Sequence, residues 1–240
     1  MKNKKFWRWK NQNVDEKQTR VLELYGTIAE ESWFDDDITP KMFRQELFKG
    51  SGDLEIWINS PGGDCIAASQ IYAMLMDYPD HITVKIDGIA ASAASVIAMA
   101  GTTVMMAPTA LMMIHNPMTV AYGDHDDMQK AISMLDEVKE SIINAYEIKT
   151  GLNRSEISKL MDSETWMNAN KAIEMGFVDK VLEDEKKSLI NNSYSYSPRK
   201  VQSILLNKIS SKIETENKQL LADGTPIEQL EKRLNLIKPY

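Results

Sequence analysis

Apolar positions along this chain follow two rhythms. Short apolar blocks between turn residues read as strands, and apolar residues three or four apart read as helices. A first strand is expected at about 20–28, where Val21, Leu22, Leu24, Tyr25 and Ile28 gather. Thr39-Pro40 opens a helix, with Thr39 as cap and Pro40 at the first helical position, and Gly50-Ser51-Gly52 closes it. Residues 54–58 form a buried block that ends in a turn at 59–63. A helix over 66–78 places Ile71, Leu75 and Tyr78 on one face, and a strand over 82–87 follows. Residues 92–100 are apolar almost all round, which predicts a buried helix. Two strands at 104–107 and 110–114 come next. The longest helix is expected at 126–150, with Met128, Ile132, Leu135, Ile142 and Tyr146 at helical spacing and Gly151 at its stop. Helices at 155–161 and 169–175 follow, and 177–182 reads as a last strand or an extended cover.

Strands alternating with helices predict one α/β layered domain over 20–183. Residues 1–19 are basic and polar around Phe6, Trp7 and Trp9, and read as an N-terminal arm outside the core. From 184 to 240 the pattern changes. Asn191-Asn192-Ser193 and Ser197-Pro198 have linker composition. Ile204, Leu205, Ile209 and Ile213 then mark an amphipathic helix over 201–221. Thr225-Pro226-Ile227-Glu228 is a capping box that starts a second stripe through Leu230, Leu234 and Ile237. These extension helices are too short to hold a core and are expected to pack on a neighbour or a partner.

Composition narrows the function classes. Hydrophobic residues make up 43% of the 240, enough for a core, and the net charge of -7 argues against a broad nucleic-acid surface. The single cysteine, Cys65, permits no intrachain disulfide, which suits a reducing, cytoplasmic setting. The apolar run 89–100 is too short to span a bilayer, and the N-terminus lacks a signal-peptide core. Neither a membrane nor a cofactor is expected.

Four segments carry candidate chemistry. Ser92 starts a helix just after a strand, among Gly88, Ala90, Ala91, Ala93 and Ala94. Helix N–H groups favour negative charge there, and the small neighbours leave room for a carbonyl. A plain N-cap serine has the same signature. Ser95 lies inside the helix and reads as a packing residue. Gly62-Gly63 after a strand can turn tightly and expose N–H donors, or be an ordinary turn. Cys65 beside it reads as structural. His115 lies at a strand end, where it can serve as a base to a serine on a neighbouring β/α unit. His125, in Asp124-His125-Asp126-Asp127, reads as part of an acidic helix start rather than a metal site. Asp162 and Glu164 precede Trp166, and either can reach an imidazole to orient it. Nucleophile, base, acid and oxyanion donors are the parts of a serine hydrolase.

In these segments the chain resembles the Clp protease proteolytic subunit, over about 25–182. The matching stretches are Asn59-Ser60-Pro61-Gly62-Gly63, Gly88-Ile89-Ala90-Ala91-Ser92, Met113-Ile114-His115, and Ala169, Ala172, Gly176, Val178 and Asp179. The Ser-Ala-Ala-Ser run from Ser92 and Glu164-Thr165-Trp166 resemble the phage head maturation branch. The resemblance implies a crotonase-like (ClpP-type) fold of stacked β-α-β turns with a protruding handle helix, placed here at 126–150. It implies Ser92 as nucleophile, His115 as base, Glu164 at the acid position, and Gly62 and Ala93, with Gly63 in the same turn, as oxyanion donors. Two positions depart from the housekeeping subunit: Ala93 replaces methionine and Glu164 replaces aspartate. The resemblance implies a polypeptide substrate and stacked, usually heptameric rings of identical subunits. The function expected is ATP-independent serine endopeptidase action on phage head or scaffold proteins. Alternatives are a general degradative subunit with a separate ATPase, a crotonase-type thioester enzyme and a non-catalytic ring scaffold.

Overall fold

The computed structural model describes residues 5–14, 17–29 and 40–182, and the side chains of all these except 11–14 and 17–19. Thr39, the linker and the extension helices lie outside the described residues.

Eight strands among the described residues join one sheet. β1 (Trp7–Val14) and β2 (Lys17–Tyr25) pair antiparallel. β2, β3 (Leu54–Ser60), β4 (Ile82–Ala91) and β5 (Thr103–Met106) run parallel, and β8 (Lys180–Val181) joins the edge of β5. Parallel neighbours need crossovers. α1 (Pro40–Leu47), α2 (Cys65–Met76) and α3 (Ala93–Ala98) stand in those connections. The buried side of the sheet meets them through Ile56, Ile58, Val84, Ile86, Phe43 and Ile71. All six residues of α3 are buried. Burying a side chain such as Val96 or Ile97 contributes about 1.5–3 kcal/mol.

β4 is the strand that builds the site. Its first half, Thr83 to Ile86, pairs with β5; its second half, Ile89 to Ala91, pairs with β6 (Leu111–Ile114). Gly88 lies between the halves, where a Cβ would come within 2.5 Å of Asn59 Oδ1. β7 (Thr165–Asn168) then pairs antiparallel with β6. α4 (His125–Thr150), α5 (Arg154–Asp162) and α6 (Ala169–Glu174) complete the described chain.

Two elements differ from the sequence expectation. Residues 7–14, read as part of an arm, are a strand, and Trp7 is 3% exposed. Its ring meets Phe43 edge-on at 5.3 Å and its Nε1–H donates to Glu46 Oε2 at 2.7 Å. Charged neighbours hid the strand: Arg8 and Lys10 pair outward with Glu23. The sequence pattern assigns no element to the residues of β7, because a strand of four residues leaves little periodic signal.

The acidic cluster caps α4. Asp124 accepts from the N–H groups of Asp126 and Asp127, while Asp127 accepts from the Asp124 N–H. The buried positions of α4 are Ile142, Ile143, Ala145 and Tyr146, so the preceding turns project from the core as a handle. Ile132 and Met134 there are 52% and 50% exposed. No helix among the described residues is long and apolar enough to cross a membrane.

Candidate active site

Parallel pairing of β4 with β6 brings two sequence-distant residues together. Ala91 pairs with Met113, and the Ser92 N–H donates to the Met113 carbonyl at 2.9 Å. Ser92 therefore leaves the end of β4 beside the end of β6, where His115 follows Ile114. Ser92 Oγ and His115 Nε2 lie 2.7 Å apart, hydrogen-bonded. With the ring proton on Nδ1, the serine hydroxyl donates to Nε2.

β7, the antiparallel partner of β6, begins just after Glu164. Leu111 pairs with Asn168 and Ile114 with Thr165, so the next step along the register sets His115 against Glu164. Glu164 has a left-handed backbone, φ +46°, and its Oε1 accepts from Trp166 Nε1 at 3.0 Å. Burial lowers the pKa of His115 below the ordinary imidazole value, and the Glu164 charge opposes that shift. Burial therefore favours the neutral imidazole. Asp162 is engaged elsewhere. It accepts from Asn116 Nδ2 at 2.9 Å and Lys139 Nζ at 2.6 Å, and these donors hold its carboxyl below the usual range.

The Gly62-Gly63 turn closes the other side. Gly62 has φ +99°, and a Cβ on it would lie 2.7 Å from both Ser92 Cβ and the Ala91 carbonyl. Gly63 has φ +150°, and a Cβ there would meet the Ile28 carbonyl at 2.1 Å. A side chain on Gly62 would push the turn away from the serine, and one on Gly63 would break its close approach to the Ile28 backbone. The Gly62 N–H donates to Ser60 Oγ at 3.1 Å. Gly63 and Ala93 line the cleft beside Ser92 and His115, and their N–H groups meet no acceptor among the described residues.

The cleft has a volume of about 330 Å³, with apolar walls from Ile66, Val96, Leu135, Val138 and Ile142. α4 thus forms one wall with the base of its projecting half. Cys65 also lines the cleft, but burial and the neighbouring Asp64 raise its thiol pKa, so it is no ready thiolate.

Sequence reading missed three parts of this arrangement. Trp166 Nε1 donates to Glu164 across the turn that enters β7, a contact that spacing does not reveal. Asn116 and Lys139 occupy Asp162, a pairing that spacing does not reveal. Ser95, read as packing, hydrogen-bonds both the Ser92 carbonyl and Tyr146.

A profile of the Clp protease family matches residues 8–185. The ATP-dependent Clp protease proteolytic subunit of Porphyromonas gingivalis is 30% identical over 159 residues, 63% of this chain and 72% of that protein. Proteolytic subunit 2 of Treponema denticola is 26% identical over 170 residues, 70% and 84% of the two chains. Subunit 2 of Thermobifida fusca is 30% identical over 154 residues, 62% and 76% of the two. Matches of this extent, over a mixed α/β domain with the Clp protease fold, show that the chain belongs to the Clp protease family of serine peptidases.

Proposed function

We propose that the chain is an ATP-independent serine endopeptidase that processes phage head or scaffold proteins, with Ser92, His115 and Glu164 as its triad. The observation that carries this reading is the 2.7 Å contact between Ser92 Oγ and His115 Nε2 at the mouth of an apolar cleft. Ser92 Oγ attacks the scissile carbonyl carbon and its proton passes to His115 Nε2. Glu164 balances the imidazolium. The N–H of Ala93 and the Gly62-Gly63 turn receive the oxyanion, the Gly62 N–H sharing itself with Ser60. The C–N bond then breaks, His115 protonates the leaving amine, and water releases the acyl group by the same route reversed. Apolar cleft walls favour an apolar side chain on the acyl side of the cut bond.

The phage assignment rests on the Ser-Ala-Ala-Ser run and on Glu164-Thr165-Trp166. The chain carries no nucleotide-binding motif, so any dependence on ATP would come from a separate ATPase. Stacked rings, heptameric by analogy, fit the exposed Ile132 on α4 and the exposed Met118, Val120 and Tyr122 before it. The sites would then face an internal chamber. A second reading is a general degradative subunit fed by an ATPase, favoured by the relatives, which are named as subunits of an ATP-dependent protease. A paired serine and histidine argues against thioester chemistry and a passive scaffold.

The test is cleavage of a dye-labelled, disordered polypeptide by the purified chain without ATP or any ATPase. Cleavage by the wild type and none by Ser92→Ala supports the proposal. Cleavage only after a Clp-type ATPase and ATP are added supports the second reading. Cleavage by Ser92→Ala at the wild-type rate overturns both.

A further inference from the structure

Ser92 holds a backbone conformation unusual for a residue with a side chain, φ +55° and ψ -127°. Such a conformation persists only where the surroundings fix it. Its N–H is fixed by the Met113 carbonyl. Its carbonyl accepts twice from one residue: from the Ser95 N–H at 2.9 Å and from Ser95 Oγ at 2.6 Å. Ser95 Oγ in turn lies 2.8 Å from the Tyr146 hydroxyl.

The direction of these bonds follows from proton counting. A serine hydroxyl has one hydrogen, and the Ser92 carbonyl can only accept. Ser95 therefore spends its hydrogen on Ser92, and Tyr146 must donate to Ser95 Oγ. Burial raises the Tyr146 phenol pKa well above its usual value, so the donor keeps its proton. The relay runs from Tyr146 O–H through Ser95 O–H to the Ser92 carbonyl. Ser95 and Tyr146 are both buried, with exposures of 0% and 1%.

The carbonyl of Ser92 and the N–H of Ala93 belong to one planar peptide unit and point in opposite directions. Holding the carbonyl down into the core therefore aims the Ala93 N–H up into the cleft. We propose that Ser95 and Tyr146 are positioning residues. They lock the 92–93 peptide so that one end presents the serine and the other presents the oxyanion donor. Because Tyr146 belongs to α4, the relay also ties the base of the projecting helix to the nucleophile. This inference rests on Ser92 being the nucleophile.

The test uses the full chain and the variants Tyr146→Phe, Ser95→Ala and their double. Each is assayed for peptide hydrolysis and for the rate of labelling by a fluorophosphonate. Removing an oxyanion donor costs about 10²–10³-fold in kcat, and a mis-aimed donor costs less. The expectation is a loss of about 10-fold in kcat and in labelling rate for Ser95→Ala, and of about 3-fold for Tyr146→Phe, with KM unchanged. In a series relay, adding Tyr146→Phe to Ser95→Ala costs nothing more. The double variant also removes the orphaned phenol donor, so it tests the rate even where Ser95→Ala alone folds poorly. Wild-type rates in the variants, additive losses, or a raised KM at constant kcat overturn the relay. Ser92→Ala serves as the control. If it still labels and cleaves, the nucleophile assignment fails, whatever the relay variants do.

Discussion

At the scale of single residues, two carboxylates near one histidine are separated by strand register. Thr165 stands opposite Ile114, which carries Glu164 into line with His115. Asp162, beyond it, is taken by Lys139 and Asn116. Glu164→Gln is therefore expected to lower kcat by about 10³–10⁴-fold with the fold intact, as loss of a triad carboxylate does elsewhere. Asp162→Asn is expected to cost less than about 10-fold, since it only loosens the ion pair of an exposed carboxylate with Lys139. Steady-state kinetics on both variants decides the matter, and the reverse order would make Asp162 the acid. pH gives a second check. The base must be neutral, and burial makes protonation of His115 harder than in a free imidazole. As pH falls, the acid limb of kcat/KM should have its midpoint below about 6.5. A midpoint above 7 on an intact protein would contradict His115 as the proposed base.

At the scale of elements, the hairpin of β1 and β2 belongs to the core. Trp7 fills a site against Phe43 and bonds to Glu46. Trp7→Ala should cost about 3–5 kcal/mol, read from denaturant unfolding, because it leaves a large cavity. A cost below about 1 kcal/mol would restore the picture of a loose arm. The strands from β3 to β6 were legible because buried parallel strands form apolar blocks, and α4 because it is long, capped and periodic. Ser92 and His115 were legible as strand-end residues on neighbouring β/α units. β1 was not, because alternating charges masked a single buried tryptophan. The role of Ser95 was not, because its partner Tyr146 lies far along the chain and only packing of α4 on α3 brings them together. Glu164 could not be chosen over Asp162 from spacing alone, since the choice depends on the register of an unrecognised strand.

At the scale of the whole molecule, α4 has two parts with different environments. Its last turns are anchored in the core, while Ile132 stands exposed on the projecting half and outside the cleft lining. If stacked rings meet there, Ile132→Asp should reduce the particle mass in light scattering while circular dichroism stays unchanged. An unchanged mass would place the contact between copies elsewhere. Leu135 is a poorer choice for that test, because it also lines the cleft beside Ser92 and His115. The central claim is that Ser92 becomes acylated with His115 as its base. The most direct measurement is the intact mass of the protein after reaction with a fluorophosphonate, followed by mapping of the modified peptide. The account predicts one adduct per chain, on Ser92, absent in Ser92→Ala and slowed by at least about 10³-fold in His115→Ala. An adduct on another residue, or undiminished labelling of Ser92→Ala, would contradict it.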